Sequence, residues 1–116
     1  MSTDFQQLQA ELRKFAKDRD WDQFHSPKNL AAALSVEAAE LLEHFQWLTE
    51  EQSKALPQDR LDQVGEEIAD VLLYLVRLSD KLGIEPMEAA KRKLIRNAEK
   101  YPIDRAKGSI KKYTEL

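Results

Sequence analysis

Apolar residues recur every three to four positions along almost the whole chain, and this spacing is the feature that most restricts its fold. Only 3 Gly and 4 Pro interrupt the spacing, which is too few for the many turns of a β-sandwich. We therefore expect an all-α protein with a four-helix bundle-like structure. The predicted helices are Asp4–Arg19, Pro27–Trp47, Gln58–Leu82 and Pro86–Lys100.

The ends of these predicted helices carry their own signals. Thr3 is expected to cap the first helix, with Gln6 completing a capping box. Ser26 precedes a proline at the first position of the second helix, which is the usual arrangement at a helix start. Gly83 is expected to end the third helix in a left-handed conformation, and Pro102 ends the fourth.

The length and charge of the chain restrict the kind of protein it can be. Its 116 residues suit one domain, predicted at residues 1–102, followed by a flexible tail at 103–116 with four basic and two acidic residues. A net charge of −3 argues against nucleic-acid binding, and no apolar run approaches the roughly 20 residues of a membrane span. Because the chain has no Cys and no signal peptide, we expect a cytoplasmic protein with no membrane partner.

Two pairs of carboxylates distinguish the second and third predicted helices. Glu37 and Glu40 are three positions apart, as are Glu67 and Asp70, so each pair shares one helix face. No Lys or Arg lies within six residues of either pair along the chain. If the two helices pack side by side, four like charges come together, and a bound cation would neutralise them.

An all-oxygen set of ligands favours a hard divalent cation, which is Mg²⁺ or, as the alternative, Mn²⁺. Zinc is disfavoured because the chain has two His and no Cys. A di-iron site in a helix bundle would need Glu-x-x-His motifs, whereas His44 follows Glu40 by four positions. The pattern therefore favours a site for Mg²⁺ or Mn²⁺ over the alternative, an ordinary acidic surface.

Two further segments carry candidate binding residues. The loop before the second helix holds Trp21, Phe24 and His25, which either plug one end of the bundle or form a wall for a flat ligand. The fourth predicted helix is basic, which fits either a solvated surface or contacts with a polyphosphate. The residues that can share its face are Lys93, Asn97, Lys100 and, just beyond the helix, Tyr101.

These residues together resemble the MazG-like all-α nucleoside triphosphate pyrophosphohydrolases, and within them the dCTP pyrophosphatase branch. The two acid motifs, Glu37-x-x-Glu40 and Glu67-x-x-Asp70, carry the resemblance to the larger group. The segments typical of the branch are Trp21-Asp22-Gln23-Phe24-His25, Phe45-Gln46-Trp47, Tyr101-Pro102 and Lys112-Tyr113-Thr114-Glu115-Leu116.

The resemblance implies a fold, a reaction and a set of site residues. The reaction is Mg²⁺-dependent hydrolysis of a nucleoside triphosphate, dCTP or a modified dCTP, to the monophosphate and pyrophosphate, which serves sanitation of the nucleotide pool. The resemblance also implies a homotetramer built as a dimer of dimers. The metal ligands and catalytic residues are Glu37, Glu40, Glu67 and Asp70. The substrate-binding residues are Trp21, Phe24, His25, Trp47, Tyr74, Lys93, Asn97, Lys100 and Tyr101.

The sequence departs from the family pattern at two positions. Leu12 stands where animal members have a pocket histidine, and His44 stands where an apolar residue is expected. A hypothesis of a different class is a non-enzymatic helical module whose acidic face holds a basic partner. It accounts for the carboxylates but leaves the Trp-containing loop and the basic helix unexplained.

Overall fold

The computed structural model describes residues 3–116, and this part of the chain is helical without any strand. The all-α prediction is confirmed. Residues 1 and 2 of the predicted domain at 1–102 lie outside the described residues. The α-helices are α1 (Asp4–Asp18), α2 (Pro27–Glu43), α3 (Glu50–Ser53), α4 (Gln58–Lys81), α5 (Pro86–Lys100) and α6 (Ile103–Ala106), with 3₁₀ turns at Asp22–Phe24 and Tyr113–Glu115.

The helix starts form as the sequence predicts. The Thr3 hydroxyl accepts a hydrogen bond from the Gln6 backbone N–H at 3.1 Å, and the Gln6 side chain accepts one from the Thr3 N–H at 3.0 Å. Ser26 caps α2 in the same way by accepting from the Asn29 N–H. Gly83 follows α4 with a φ of 67°, a conformation that favours glycine.

The predicted end of the second helix at Trp47 is wrong. Helix α2 ends at Glu43, and His44 caps it, because the chain then enters hydrogen-bonded turns. Thr49 has an extended backbone and forms a capping box with Gln52, so a new short helix starts there. The backbone between α2 and α3 forms turns with hydrogen bonds such as Phe45 N–H to Leu42 and Leu48 N–H to Phe45, which the apolar spacing did not indicate.

The first compact unit of the chain ends at Gly83. Within it, α2 packs extensively along α4, and α1 packs against α4 more locally. Leu30 of α2 and Val76 of α4 are almost fully buried in the core of this unit. Arg13 of α1 also forms a bidentate ion pair with Asp80 of α4, at 2.5 and 2.6 Å.

The second compact unit comprises Ile84–Leu116 and contains α5, α6 and the final 3₁₀ turn. The rings of Tyr101 and Tyr113 meet edge to face at 6.0 Å, and Lys100 Nζ lies 4.8 Å from the centre of the Tyr113 ring. The domain boundary at 102 stays a prediction. Among the helices within residues 3–116, none combines the length and the apolar character that a membrane crossing requires.

Candidate active site

Three carboxylates from two helices converge in the first unit. They belong to Glu37 of α2 and to Glu67 and Asp70 of α4, and one oxygen of each lies within 4.8 Å of the other two. The packing of α2 along α4 brings together these three of the four carboxylates that the two acid motifs predict to meet. We call Glu37, Glu67 and Asp70 the acid cluster.

The acid cluster contains two buried oxygens without any hydrogen-bond partner among residues 3–116. These atoms are Oε2 of Glu37 and Oε2 of Glu67. An ionised carboxylate can only accept hydrogen bonds, so neighbouring carboxylates cannot satisfy one another. A buried acceptor left without a partner costs about 1–3 kcal/mol. An all-oxygen site with unsatisfied buried acceptors fits a hard divalent cation.

The pKa of Glu37 is affected by its burial beside other carboxyl groups. Its pKa is raised to about 7, first by burial and then by the neighbouring carboxyl groups of Glu40, Asp70 and Glu67. Glu40, one turn further along α2, lies within hydrogen-bonding reach of Glu37 when one of the two holds a proton. The fourth predicted acid therefore borders the acid cluster.

One face of α4 connects the acid cluster to a neighbouring cavity. Glu67, Asp70, Tyr74 and Arg77 follow a spacing of three, four and three, which places them on one stripe of the helix. A rise of 1.5 Å per residue separates Glu67 from Arg77 by about 15 Å along the helix axis. Asp70 belongs both to the acid cluster and to the wall of the cavity.

The cavity has a volume of about 220 Å³ and a mainly apolar wall. Three of the predicted substrate-binding residues, Trp21, His25 and Tyr74, line it. Leu12, which replaces the histidine expected from the family, lies in the same wall. The remaining lining residues are Phe15, Ala16, Asp70, Leu73 and Arg77. The structure therefore brings predicted base-binding residues to a cavity that also borders the acid cluster.

Local contacts of the loop fix the position of Trp21. The backbone of Asp20 adopts a φ of 55°, which reverses the chain after α1, and the Trp21 N–H donates to the Ala16 carbonyl at 2.9 Å. The Trp21 ring then lies 5.6 Å from the Phe15 ring in an edge-on arrangement and 6.3 Å from the His25 ring. Such pairs orient aromatic side chains beyond simple burial.

A set of paired charges includes Arg77, which lines the cavity and lies at the end of the α4 face away from the acid cluster. Arg77, only 5% exposed, donates from Nε to Nδ1 of His25 at 3.1 Å and from Nη2 to Asp22. It also lies 3.7 Å from Asp80. Lys81 binds Asp22 at 2.6 Å, and Arg13 binds Asp80 as described above. We call Arg13, Asp22, Arg77, Asp80 and Lys81 the ion-pair network.

The ion-pair network shifts the pKa values of its members in the directions expected for paired charges. The pKa of Asp22 is lowered chiefly by its hydrogen bond to Lys81, and the pKa of Asp80 chiefly by its hydrogen bonds to Arg13. The pKa of His25 is lowered by burial and then by the charge of Arg77. Both carboxylates are therefore ionised and His25 is neutral at pH 7.

Two predicted substrate-binding residues of the first unit lie elsewhere. Among the described residues, neither Phe24 nor Trp47 belongs to the cavity lining. Trp47 lies in the turn after α2 and is 86% exposed, and Phe24 is more than half exposed. His44, which the family pattern left unexplained, approaches Arg60 with its Nδ1 3.4 Å from Nη1.

The remaining predicted residues belong to the second unit. Lys93 is exposed on α5, and Asn97 is partly buried. The Asn97 carbonyl accepts a hydrogen bond from the Tyr101 N–H at 2.8 Å and so closes the end of α5. Lys100 and Tyr101 contact Tyr113. Their role towards phosphate groups stays a prediction.

Sequence reasoning missed the ion-pair network. From the sequence, Arg77 is identified only as a residue on the same face of α4 as Asp70. It is also the first Lys or Arg after sixteen residues that contain neither. That gap was the available signal. A cation that ends a long acidic and apolar stretch of helix is a candidate for a buried ionic partner.

Comparison with known proteins agrees with this geometry. A model of the MazG-like family matches residues 32–116, which is more than half of the chain and includes all four predicted acids. The chain belongs to the MazG-like family. Within this MazG-like protein, the matched region contains the acid cluster and the second unit but begins after Trp21 and His25.

Relatives of this MazG-like chain include proteins named dCTP pyrophosphatase 1. The protein from Mus musculus is 42% identical over 115 residues, and the one from Homo sapiens is 41% identical over 116 residues. Each comparison covers 97% of this chain and 66% of the relative, so the chain spans about two thirds of the relatives' length. A crystal structure of a pyrophosphatase from Archaeoglobus fulgidus superposes with a TM-score of 0.83 at 45% identity, covering 88% of this chain and 95% of that chain.

Proposed function

We propose that the chain hydrolyses a nucleoside triphosphate, with dCTP or a modified dCTP as the substrate class, to the monophosphate and pyrophosphate. The observation that carries this proposal is the pair of buried, unsatisfied oxygens of Glu37 and Glu67 beside Asp70. The names of the two mammalian relatives support the choice of dCTP. Such an enzyme removes unwanted nucleotides from the pool.

We propose Mg²⁺ as the cofactor, with Mn²⁺ as a substitute, held by Glu37, Glu67 and Asp70. The oxygen donors fit these hard cations, and the absence of Cys disfavours softer metals. When bound, the cation neutralises the carboxylates and polarises the phosphate oxygens of the substrate. Glu40 completes the predicted set of four acids.

The chain's own residues then have distinct roles. Glu40 lies beside the acid cluster, so we assign it to orient the attacking water and accept its proton on a carboxylate oxygen. Water adds to one phosphorus of the triphosphate, the bond to the leaving phosphate oxygen breaks, and monophosphate and pyrophosphate separate. We assign the base of the substrate to the cavity lined by Trp21, His25 and Tyr74, and the spacing along α4 between the acid cluster and this cavity supports the assignment.

We further propose that the protein works as a homotetramer built as a dimer of dimers. The supporting observation is a stripe of exposed apolar side chains on α4, opposite the face that carries Glu67 and Asp70. These side chains are Leu61, Ile68, Leu72 and Leu75. Association through this stripe would also allow Trp47 of one subunit to contribute to the substrate site of another subunit. Sedimentation as a monomer at micromolar concentration would contradict this assembly.

The reaction is tested by measuring pyrophosphate release from the canonical deoxynucleoside triphosphates and one modified dCTP, with Mg²⁺, with Mn²⁺ and with EDTA. We expect release of pyrophosphate, the highest kcat/KM for a cytosine nucleotide, and no reaction in EDTA. Failure to hydrolyse any triphosphate in the presence of either cation would contradict the proposal and favour the non-enzymatic helical module.

A further inference from the structure

The contact between Arg77 and His25 fixes more than the position of two side chains. Arg77 lies on α4 and is almost fully buried, and His25 follows the loop that carries Trp21. Nε of Arg77 lies 3.1 Å from Nδ1 of His25, and both residues line the cavity proposed for the base. The ligand expected beside this contact is the base of the substrate in the proposed function. The hydrogen-bonding properties of His25, in contrast, follow from its contact with Arg77 and do not depend on the substrate.

A guanidinium group has only donors and keeps its proton throughout the range of pH in which proteins are folded. Nδ1 of His25 must therefore accept the hydrogen bond from Arg77, so Nδ1 carries no proton. A neutral imidazole has one proton, which then resides on Nε2. Nε2 has no hydrogen-bond partner among the residues that the structure describes.

We propose that Arg77 is a positioning residue that holds His25 as a neutral ring protonated at Nε2, so that the cavity offers its ligand one fixed N–H donor. The ligand class is a heterocyclic base with an acceptor in its plane, such as the carbonyl oxygen or the bare ring nitrogen of cytosine. A base that presents only donors towards His25 is rejected because the two N–H groups would face each other.

The ion-pair network does not need Arg77 to pair its carboxylates. Asp22 keeps Lys81 at 2.6 Å, and Asp80 keeps Arg13 at 2.5 Å. His25, in contrast, receives a donor on Nδ1 from Arg77 and from no other side chain within residues 3–116. The contact that is specific to Arg77 is therefore the one that determines the tautomer of His25.

The charged groups around His25 favour the same neutral form. Burial lowers the pKa of His25 most, the charges of Arg77 and Lys81 on α4 lower it further, and the charge of Asp22 in its own loop acts in the opposite direction. Asp70 lines the same cavity from α4, and α1 contributes only Leu12, Phe15 and Ala16 to the lining.

The tautomer is tested with long-range ¹H–¹⁵N spectra of the ¹⁵N-labelled full chain at neutral pH, without metal or nucleotide. The chain has two His, so the single variant His44→Ala assigns both signals. We expect His25 to show a bare Nδ1 and a protonated Nε2. A protonated Nδ1, or averaging between the two tautomers in the wild-type protein, would overturn the proposal.

Arg77→Met is the direct variant, and Lys81→Met is its matched control because Lys81 also binds Asp22 but makes no hydrogen bond to His25 in the described structure. We expect tautomer averaging of His25 in Arg77→Met and the wild-type pattern in Lys81→Met. An unchanged His25 signature in folded Arg77→Met would overturn the role of Arg77. If Arg77→Met does not fold, the wild-type spectrum alone decides.

The effect on recognition is tested by the KM for dCTP with Mg²⁺ in two variants of His25. His25→Gln can place an amide N–H near the position of Nε2, whereas His25→Asn keeps an acceptor for Arg77 but loses the outer donor. We expect His25→Asn to raise KM about tenfold and His25→Gln to raise it less, with kcat of both within about twofold of wild type. Equal KM values in both variants and wild type would overturn the donor role. Complete inactivity of the wild-type protein would overturn the proposed function instead, because the spectra do not depend on activity.

Discussion

The carboxylates at the two ends of one face of α4 differ in whether a cationic side chain neutralises them. At the first end, Glu37, Glu67 and Asp70 gather without a cation among the described residues, and two of their oxygens are buried without a partner. At the other end, the two carboxylates of the ion-pair network are held by three cationic side chains. This difference between paired and unpaired charges is the basis for our proposal that the acid cluster binds a cation.

The two ends of this face also differ in their expected effect on the stability of the fold. The ion-pair network connects α1 and the Trp21 loop to α4 through contacts between residues that are 55 to 67 positions apart in the chain. The acid cluster opposes close packing of α2 on α4, because it brings like charges together. Substitutions at the two ends should therefore affect stability in opposite directions.

The largest expected effect is on activity at the acid cluster. Glu67→Gln removes one charge from the proposed metal site, and we expect pyrophosphate release to fall by about 100-fold or more. The metal-free variant should melt at the same temperature as wild type or a few degrees higher, roughly 2–5 °C, because repulsion is relieved. Neighbouring Glu66→Gln, an exposed residue outside the acid cluster, is the matched control. Near wild-type activity of Glu67→Gln with Mg²⁺ would show that Glu67 is not a ligand.

The next effect concerns the aromatic residues. Trp21→Ala and Trp47→Ala should each raise the KM for dCTP by roughly 5- to 150-fold, the value of one stacked base, with a much smaller change in kcat. Trp47 is 86% exposed, so Trp47→Ala should leave the melting temperature of the isolated subunit nearly unchanged. A destabilised variant that keeps the wild-type KM per folded enzyme would remove that Trp from the site.

A smaller effect is expected on stability at the ion-pair network. Asp80→Asn loses the bidentate contact with Arg13 and a charge beside buried Arg77, so we expect a loss of about 1–3 kcal/mol in the free energy of unfolding. Asp18→Asn is the control: among residues 3–116, Asp18 forms an ion pair only with exposed Lys14, so we expect stability to change by less than about 0.5 kcal/mol. Equal losses in urea denaturation of the two variants would contradict the contrast between the two ends.

The smallest expected effect is on the pH dependence of stability in the metal-free protein. Folding raises the pKa of Glu37 from 4.5 to about 7, so protonation favours the fold and stability declines as pH rises between these values. Folding lowers the pKa of His25 below 6.5, so the unfolded chain binds that proton more readily and stability declines as pH falls below 6.5.

The two contributions are separated by denaturation of Glu37→Gln and His25→Asn across this range. Relative to wild type, Glu37→Gln should lose less stability as pH rises, and His25→Asn should lose less as pH falls. A pH profile that neither variant changes would contradict the assigned protonation of both groups.

Local features of the fold were predictable from the sequence because they depend on neighbouring residues. Thr3 with Gln6, Ser26 before Pro27, and Gly83 set helix ends through contacts within a few positions. The two acid motifs were predictable because a spacing of three fixes the face of a helix, and the packing of α2 on α4 then brings Glu37 to Glu67 and Asp70.

The ion-pair network was beyond this reasoning because it forms between residues far apart in sequence. Nothing near Asp22 indicates that its cationic partners are Arg77 and Lys81, more than fifty positions later. The end of α2 was misplaced because the spacing of apolar residues continues beyond Glu43, while the structure of the following segment is decided by the capping box of Thr49.

The central claim, that the acid cluster is left unpaired to bind a divalent cation together with a triphosphate, is tested most directly by thermal melting. The wild-type protein is compared in EDTA, in a few millimolar Mg²⁺, and in Mg²⁺ with a non-hydrolysable dCTP analogue. Binding to the native state at about 100 times the Kd stabilises it by about 2.7 kcal/mol, so we expect a clear rise in melting temperature with Mg²⁺ and the analogue. The rise should persist in Glu66→Gln and disappear in Glu67→Gln. No rise in the wild-type protein, or an equal rise in Glu67→Gln, would contradict the account.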